Sequence, residues 1–336
     1  MEINYQEVAQ WMSEFMPGGC KGAFVSLTYR CQCRCKHCGV RLFQRKNEKE
    51  MTADEIKAFI LNHFLECGLR GVYFFGGEPT IHKDFFELIR YSREKGLLNR
   101  FDTNGIKLAD KGFVKKIGDL GGAFVLVSLD SADPQVHDRF RGKEGVWKSA
   151  IQAIKNCVEI NNIEVGISTV VTRRSLETGD TKKIIQLGKD LGVSMIRLLA
   201  PMLVGRWYKK EKVRLSKEEL KELWSLLEPN FVFWEEACDG TGPFICGSMA
   251  KKGCAVTAYG DVQPCCYIPI SFGNVKNERL KDILDRMWAS SYFKQGRVNP
   301  LDCPMNDDKF REKILRLTEG KRKYPVAYDD SIFSAK

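Results

Sequence analysis

The stretch 23-AFVSLTYRCQCRCKHC-38 decides how the rest of the chain is read. Its first half, Ala23 to Tyr29, is a short apolar run with β-branched and aromatic residues, which predicts a buried strand. Its second half places Cys31, Cys35 and Cys38 in a C-x3-C-x2-C spacing directly after that strand. A strand-to-loop junction is where α/β enzymes build their sites. Three thiolates can hold three corners of a cubic [4Fe–4S] cluster and leave the fourth iron open. An open iron can bind a substrate or cofactor through an amine and a carboxylate. The same residues admit a zinc knot made of Cys31, Cys33, Cys35 and Cys38, with His37 adjacent. Structural zinc sites commonly draw their ligands from two separated pairs. Four cysteines within eight residues is a cramped way to supply them.

Outward from this stretch, β-branched runs alternate with helical patterns. Gly71–Phe75, Arg100–Thr103, Phe124–Leu129, Glu164–Val171 and Ser194–Leu199 read as buried parallel strands. Thr52-x-x-Glu55 is a capping box, and Ile56, Phe59, Ile60 and Phe64 follow at helical spacing. Val146, Ala150, Ile151, Ile154 and Val158 make a second apolar stripe. Six strands alternating with helices over residues 22–205 predict an α/β fold. A closed eight-stranded barrel needs about 250 residues, so the count favours a partial (β/α)6 TIM-like barrel. Ser216-x-x-Glu219 caps a later helix. The expected division is an extension over 1–21, the barrel over 22–205, a linker and helix over 206–235, a small cysteine-rich domain over 236–308, and a tail over 309–336.

The C-x3-C-x2-C loop resembles that of the radical S-adenosylmethionine (radical SAM) family, and four further segments fit the same family in order. Gly76-Gly77-Glu78-Pro79 ends the second strand and resembles the turn that binds the amino group of SAM, with Glu78 accepting from the ammonium. Thr103-Asn104-Gly105 ends the third strand. Ser128 and Asp130, on one face at the end of the fourth, resemble residues facing the ribose hydroxyls and the radical carbon. Arg141, within His137-Asp-Arg-Phe-Arg141-Gly142, resembles the arginine that reaches the SAM carboxylate, a pairing suited to bidentate contact. Ser168 and Leu199 are expected on the adenine side. His37 stands where the family usually has an aromatic residue. The resemblance implies a cluster that donates an electron to SAM, and a 5′-deoxyadenosyl radical that takes a hydrogen atom from the substrate. It also implies a reduced flavodoxin or ferredoxin as electron donor.

Six of the 13 cysteines fall between residues 238 and 303. Gly260-Asp-Val-Gln-Pro-Cys265 reads as a hairpin turn delivering a cysteine. The region resembles the SPASM or twitch extension of radical SAM enzymes, which implies a small Fe–S domain and a second, auxiliary [4Fe–4S] cluster held by Cys246, Cys254, Cys265 and Cys303. Either Cys265 or its neighbour Cys266 can be the ligand, the other then being a spare thiol or a hydrogen donor; the turn pattern favours Cys265 as ligand, with Cys266 as the catalytic candidate. A zinc site made of the same cysteines stays open here.

Composition narrows the function classes. The net charge is +10, but the basic residues are scattered among acidic ones, which argues against a nucleic-acid partner and for a solvated surface. No apolar run of about 18 residues occurs, so no membrane span is expected. The start, with Glu2, Glu7 and Glu14, lacks a secretory pattern, and abundant cysteine then points to metal work in a reducing cytoplasm. The expected function is hydrogen abstraction from a biosynthetic intermediate or peptide, with the auxiliary cluster assisting oxidation or cross-linking. A redox-neutral epimerase using Cys266 or Cys238 as hydrogen donor is the alternative. A zinc-stabilised scaffold or nucleic-acid binder is the alternative of another class.

Overall fold

The computed structural model describes residues 21–234, 246–295 and 303–334. The six predicted strands form as β1 (Gly22–Thr28), β2 (Gly71–Gly76), β3 (Leu98–Thr103), β4 (Ala123–Ser128), β5 (Ile163–Val170) and β6 (Met195–Leu199). They lie side by side in sequence order, and every pair is parallel. Sequential parallel neighbours joined by helices make the wall of a barrel, with all carboxyl ends on one rim.

The sheet does not stop at six strands. β7 (Val232–Trp234) adds in parallel beside β6, and β8 (Gly253–Val256) adds in parallel beside β1. β9 (Val262–Gln263) turns back antiparallel on β8. The described sheet therefore has nine strands in the order β7-β6-β5-β4-β3-β2-β1-β8-β9. Sequence reading assigned residues 236–308 to a separate unit, yet β8 belongs to the barrel sheet. A four-residue strand carries too little periodicity to announce its partner, and only the register Ala23↔Cys254 reveals it.

Helices α1 (Ala53–Phe59), α2 (Phe85–Glu94), α3 (Lys111–Asp119), α4 (Pro134–Arg141), α5 (Val146–Val158), α6 (Arg173–Glu177) and α7 (Asp180–Leu191) connect the strands. The Thr52 box caps α1: Thr52 Oγ1 accepts from the Glu55 amide at 3.2 Å, and Glu55 Oε2 accepts from the Thr52 amide at 2.8 Å. The core lies between helices and sheet, where Val25, Leu27, Ile56, Phe64, Phe74 and Ile154 are fully buried. The other face of the sheet points into the barrel. There Phe24 packs edge-on against Tyr73 and Phe75, and Arg100 lies over the Tyr73 ring.

Beyond β6 come α8 (Lys217–Ser225), capped by Ser216 as its sequence predicts, and α9 (Leu280–Ala289). The predicted tail is folded into this region. Here α10 (Asp308–Thr318) is followed by β11 (Val326–Ala327), which pairs in parallel with β10 (Ile270–Ser271), and then by α11 (Asp330–Ser334). Phe272 stacks on Tyr328, and Tyr292 and Phe333 complete an aromatic core. Among the described residues no helix is long and apolar enough to cross a membrane.

Candidate active site

The three-cysteine loop lies at the carboxyl rim and is pinned from one side by the end of α4. The Arg34 amide donates to the Arg141 carbonyl and the Lys36 amide to the Phe140 carbonyl, both at 2.9 Å. On the other side Gly205 passes so close that a Cβ there would lie 2.1 Å from the Cys38 carbonyl oxygen, and the Arg206 amide donates to that oxygen at 3.0 Å. The sulfurs meet donors. Cys31 Sγ accepts from the Cys33 amide at 3.3 Å and from Asn104 Nδ2 at 3.8 Å, and Cys35 Sγ accepts from Arg141 Nη1 at 3.8 Å. A hydrogen bond from the Cys33 thiol, with the Arg141 charge assisting, holds Cys35 at about 6 against the burial that would raise it. Cys31 is lowered by the same thiol. Cys33 itself is raised by bonding to both sulfurs, so it stays protonated. Burial raises Cys38.

The Gly76–Pro79 turn runs against the backbone that leads into this loop. The Gly77 amide donates to the Thr28 carbonyl at 2.7 Å and the Glu78 amide to the Arg30 carbonyl at 2.9 Å. Gly76 has a φ of +123°, and a Cβ on Gly77 would stand 2.2 Å from the Arg30 carbonyl oxygen, so neither position admits a side chain. Glu78 is buried. Its Oε1 accepts from Thr80 Oγ1 at 2.6 Å and Thr103 Oγ1 at 2.8 Å, and its Oε2 accepts from the Asn104 amide at 2.8 Å. Burial raises its pKa, and these donors oppose the shift. The carboxylate thus ties the second and third strand ends together and keeps acceptor capacity on Oε2 alone.

One cavity opens over these elements. It is lined by Cys31, Cys35, Cys38 and His37, by the whole Gly76–Pro79 turn, and by Thr103, Asn104, Ser128, Arg141, Ser168 and Leu199. Sequence reading named all of them. Asp130 is the exception, because it does not line the cavity. Its carboxylate accepts from Arg141 Nε at 2.5 Å and from the Val170 amide at 2.9 Å. Burial would raise Asp130, but the Arg141 charge holds it below the usual carboxylate range. Asp130 therefore orients Arg141 from behind the cavity wall. His37 stacks on Phe140 at 4.7 Å between ring centres, and burial lowers it to about 4, so its imidazole is neutral. Its buried Nδ1 has no hydrogen-bond partner.

Among the lining residues that escaped sequence reading are Asp102, Arg197 and Tyr267. Arg197 Nη2 meets Asp102 Oδ2 at 2.5 Å and Ser168 Oγ at 2.9 Å. A signal existed. An arginine inside Met195-Ile-Arg-Leu-Leu199 and an aspartate inside a buried strand are both rare unless paired. Tyr267 follows Cys265 and Cys266 and enters the cavity wall from the C-terminal region, edge-on to Phe75. The cavity packs it against the three-cysteine loop, because a Cβ on Gly39 would strike its ring.

The later cysteines part ways. Gly260, at φ +94°, turns the β8–β9 hairpin as expected. Ser248 Oγ donates to the Pro264 carbonyl at 2.5 Å, so the turn starting at Cys246 sits beside Cys265. The turn at Cys303 is held on the loop after β6, where Asn306 Nδ2 donates to the Pro201 carbonyl at 3.0 Å and Asn306 Oδ1 accepts from the Leu203 amide at 3.1 Å. Cys254 goes elsewhere. It faces the helix layer from β8, near Cys67, and burial pushes its thiol far up. That side of the sheet is packed as the helix-layer core, so the structure shows Cys254 as a core residue and not in the ligand role expected of it. Cys266, the expected hydrogen donor, is buried next to Tyr29 and does not itself line the cavity. Cys238, the other donor candidate, lies outside the described residues. Among the described residues no three His, Cys, Asp or Glu side chains converge to hold a single metal ion, as the zinc readings require.

Residues 25–186 match the radical SAM superfamily, and residues 246–315 match the SPASM iron–sulfur cluster-binding domain. An Fe-coproporphyrin III synthase of Methanosarcina barkeri is 32% identical over 202 residues, which is 60% of this chain and 49% of that protein. An AdoMet-dependent heme synthase of the same organism is 27% identical over 76% of this chain and 80% of its own length. The chain thus spans about half of the first relative and four-fifths of the second. In fold it resembles Streptococcus suis SuiB bound to precursor peptide SuiA, with a TM-score of 0.65 at 16% identity over 98% of this chain and 79% of that one. The parallel barrel, its rim cavity and these matches together place the chain in the radical SAM superfamily, whose cofactors are SAM and a [4Fe–4S] cluster, with a C-terminal SPASM domain for a further iron–sulfur cluster.

Proposed function

We propose that this radical SAM enzyme cleaves SAM reductively and abstracts a hydrogen atom from a biosynthetic intermediate or peptide in the rim cavity, with the SPASM cysteines assisting oxidation or cross-linking. The carrying observation is Tyr267. It lies two residues after Cys265 and lines the same cavity as Cys31, Cys35 and Cys38. An auxiliary cluster held by Cys265 would then stand behind a wall residue of the substrate cavity, within reach of an electron leaving the substrate.

The residues fit the cofactors. Cys31, Cys35 and Cys38 would hold the SAM-binding cluster, and N–H donors already point at two of their sulfurs. Gly76, Gly77, Glu78 and Pro79 all line the cavity, where the methionine part of SAM would lie. When bound, the cluster supplies the electron that splits SAM and so generates the hydrogen-abstracting radical. Glu78 would accept from the SAM ammonium through Oε2, and Arg141, held by Asp130, would meet the carboxylate. Ser128, Ser168 and Leu199 would line the ribose and adenine side. Cys246, Cys265 and Cys303 would ligate the auxiliary cluster. A basic surface can dock a reduced flavodoxin or ferredoxin as electron donor.

The test is iron content and SAM cleavage in anaerobically reconstituted protein. Two clusters give about eight irons per chain. Replacing Cys31, Cys35 and Cys38 together by alanine should halve the iron and abolish formation of 5′-deoxyadenosine under dithionite. Wild type that binds no SAM and forms no 5′-deoxyadenosine refutes the reading.

A further inference from the structure

The charge of the cavity rim points to the substrate class; the inference deepens the proposed function and rests on it. Five arginines line the cavity against two acidic residues, Glu78 and Asp102. Two of the arginines are neutralised, Arg141 by Asp130 and Arg197 by Asp102. Glu78 keeps acceptor capacity only on Oε2, which the SAM ammonium would take. Arg34, Arg41 and Arg206 remain, and among the described residues none of them meets a carboxylate. Arg41 donates to the neutral Gln44, and Arg206 Nη1 to the Arg34 carbonyl at 3.1 Å. The three come from neighbouring segments: Arg34 from the three-cysteine loop, and Arg41 and Arg206 from two short helical turns packed on each other.

SAM does not answer this charge. It brings one carboxylate, for which Arg141 is placed, and two positive centres. Guanidinium groups bind oxyanions through paired N–H donors. A phosphate chain would be better served by a nest of backbone amides or a helix N-terminus. The rim instead offers three separate side-chain forks on three segments, an arrangement that suits several independent carboxylates. We propose that Arg34, Arg41 and Arg206 bind carboxylate groups of the substrate, so that the enzyme takes a substrate bearing two or more carboxylates.

The experiment is equilibrium binding to reconstituted, SAM-loaded protein, so it does not depend on turnover. Two probe pairs are used: coproporphyrin III against its tetramethyl ester, and a fluorescein-labelled hexaglutamate peptide against its hexaglutamine counterpart. The carboxylate member of at least one pair should bind more tightly than its neutral partner, and more weakly at high salt. The pair that responds tells a macrocycle from a peptide. The variant carrying R34Q, R41Q and R206Q should lose about tenfold in affinity, and the corresponding triple lysine variant should regain part of it. If the triple glutamine variant fails to load iron, R41Q alone, outside the cysteine loop, carries the comparison. The proposal is overturned if neither carboxylate probe outbinds its neutral partner. It is equally overturned if the glutamine variant keeps wild-type affinity while only its cluster spectrum changes, which would assign the arginines to the cluster. Failure of SAM cleavage in wild type is a separate result and bears on the function alone.

Discussion

Replacing Asp130 by asparagine tests how the site is held. The Asp130 side chain is 2% exposed and that of Arg141 10%, so the pair is screened little by solvent. Asparagine keeps an oxygen for the Val170 amide but takes the carboxylate countercharge away from the buried Arg141 guanidinium. Breaking a buried ion pair from one side costs about 3–5 kcal/mol. The retained hydrogen bond puts Asp130→Asn near the lower end, about 3 kcal/mol. Urea unfolding followed by circular dichroism reads this as a lower midpoint at unchanged slope. The same variant should bind SAM more weakly, since Arg141 also supports the loop through its carbonyl. Adding Arg141→Met removes the stranded charge. The double variant should then lose less stability than the sum of the two single variants, by more than about 1 kcal/mol. A loss under about 1 kcal/mol for Asp130→Asn, or strict additivity in the cycle, would falsify the view that this pair is one unit.

Gly77→Ala should destabilise the fold by about 1–3 kcal/mol and weaken SAM binding, because its Cβ meets the Arg30 carbonyl oxygen at 2.2 Å; an unchanged melting temperature with full SAM affinity contradicts the close packing. His137 accepts the Asp130 amide through Nδ1 at 3.1 Å and is held by burial at about 4, below its ordinary 6.5. The unfolded chain therefore takes up a proton first as pH falls. Stability present above about pH 6.5 should decline towards pH 4, by about 3 kcal/mol at most, and His137→Gln should flatten that part of the pH–urea midpoint curve. Cys265→Ala should lose auxiliary iron while Cys254→Ala keeps it; iron lost from Cys254→Ala and kept in Cys265→Ala would reverse the assignment.

Much of the site was legible because its chemistry is local in sequence. A loop of three cysteines, a glycine pair followed by Glu78, and an arginine ending a helix each occupy a few consecutive residues. The structure then brings them to one rim because parallel strands end together. What was not legible depends on register and on distance along the chain. Asp130 shares a strand face with Ser128, but the chain leaves the strand after Ser128, and the side chain turns back to Arg141 and the Val170 amide. Cys254 has the spacing of a ligand, and only its pairing opposite Ala23 sends the thiol to the helix side. Tyr267 is one aromatic residue after two cysteines. Nothing in its neighbours says that it reaches the three-cysteine loop more than 200 residues earlier.

Asp102 and Arg197 show why a partial barrel needs something beyond its ladder. They stand on β3 and β6, which are separated in the sheet by β4 and β5. Their contact therefore crosses the interior and does not run between paired strands. Hydrogen bonds along the sheet fix the spacing of neighbours but leave the curvature of an open barrel soft. A contact between strands three places apart fixes that curvature. Ser168 on β5 accepts from the same guanidinium at 2.9 Å, so three strands are referred to one group. An apolar pair would fill the space, and replacing a buried ion pair by packed hydrophobic residues is often neutral or stabilising. Apolar contacts are non-directional, however, whereas a guanidinium fork fixes distance and angle together. The polar floor thus holds the strand ends, and with them Ser128, Ser168 and Leu199, at a set separation beneath the cysteine loop.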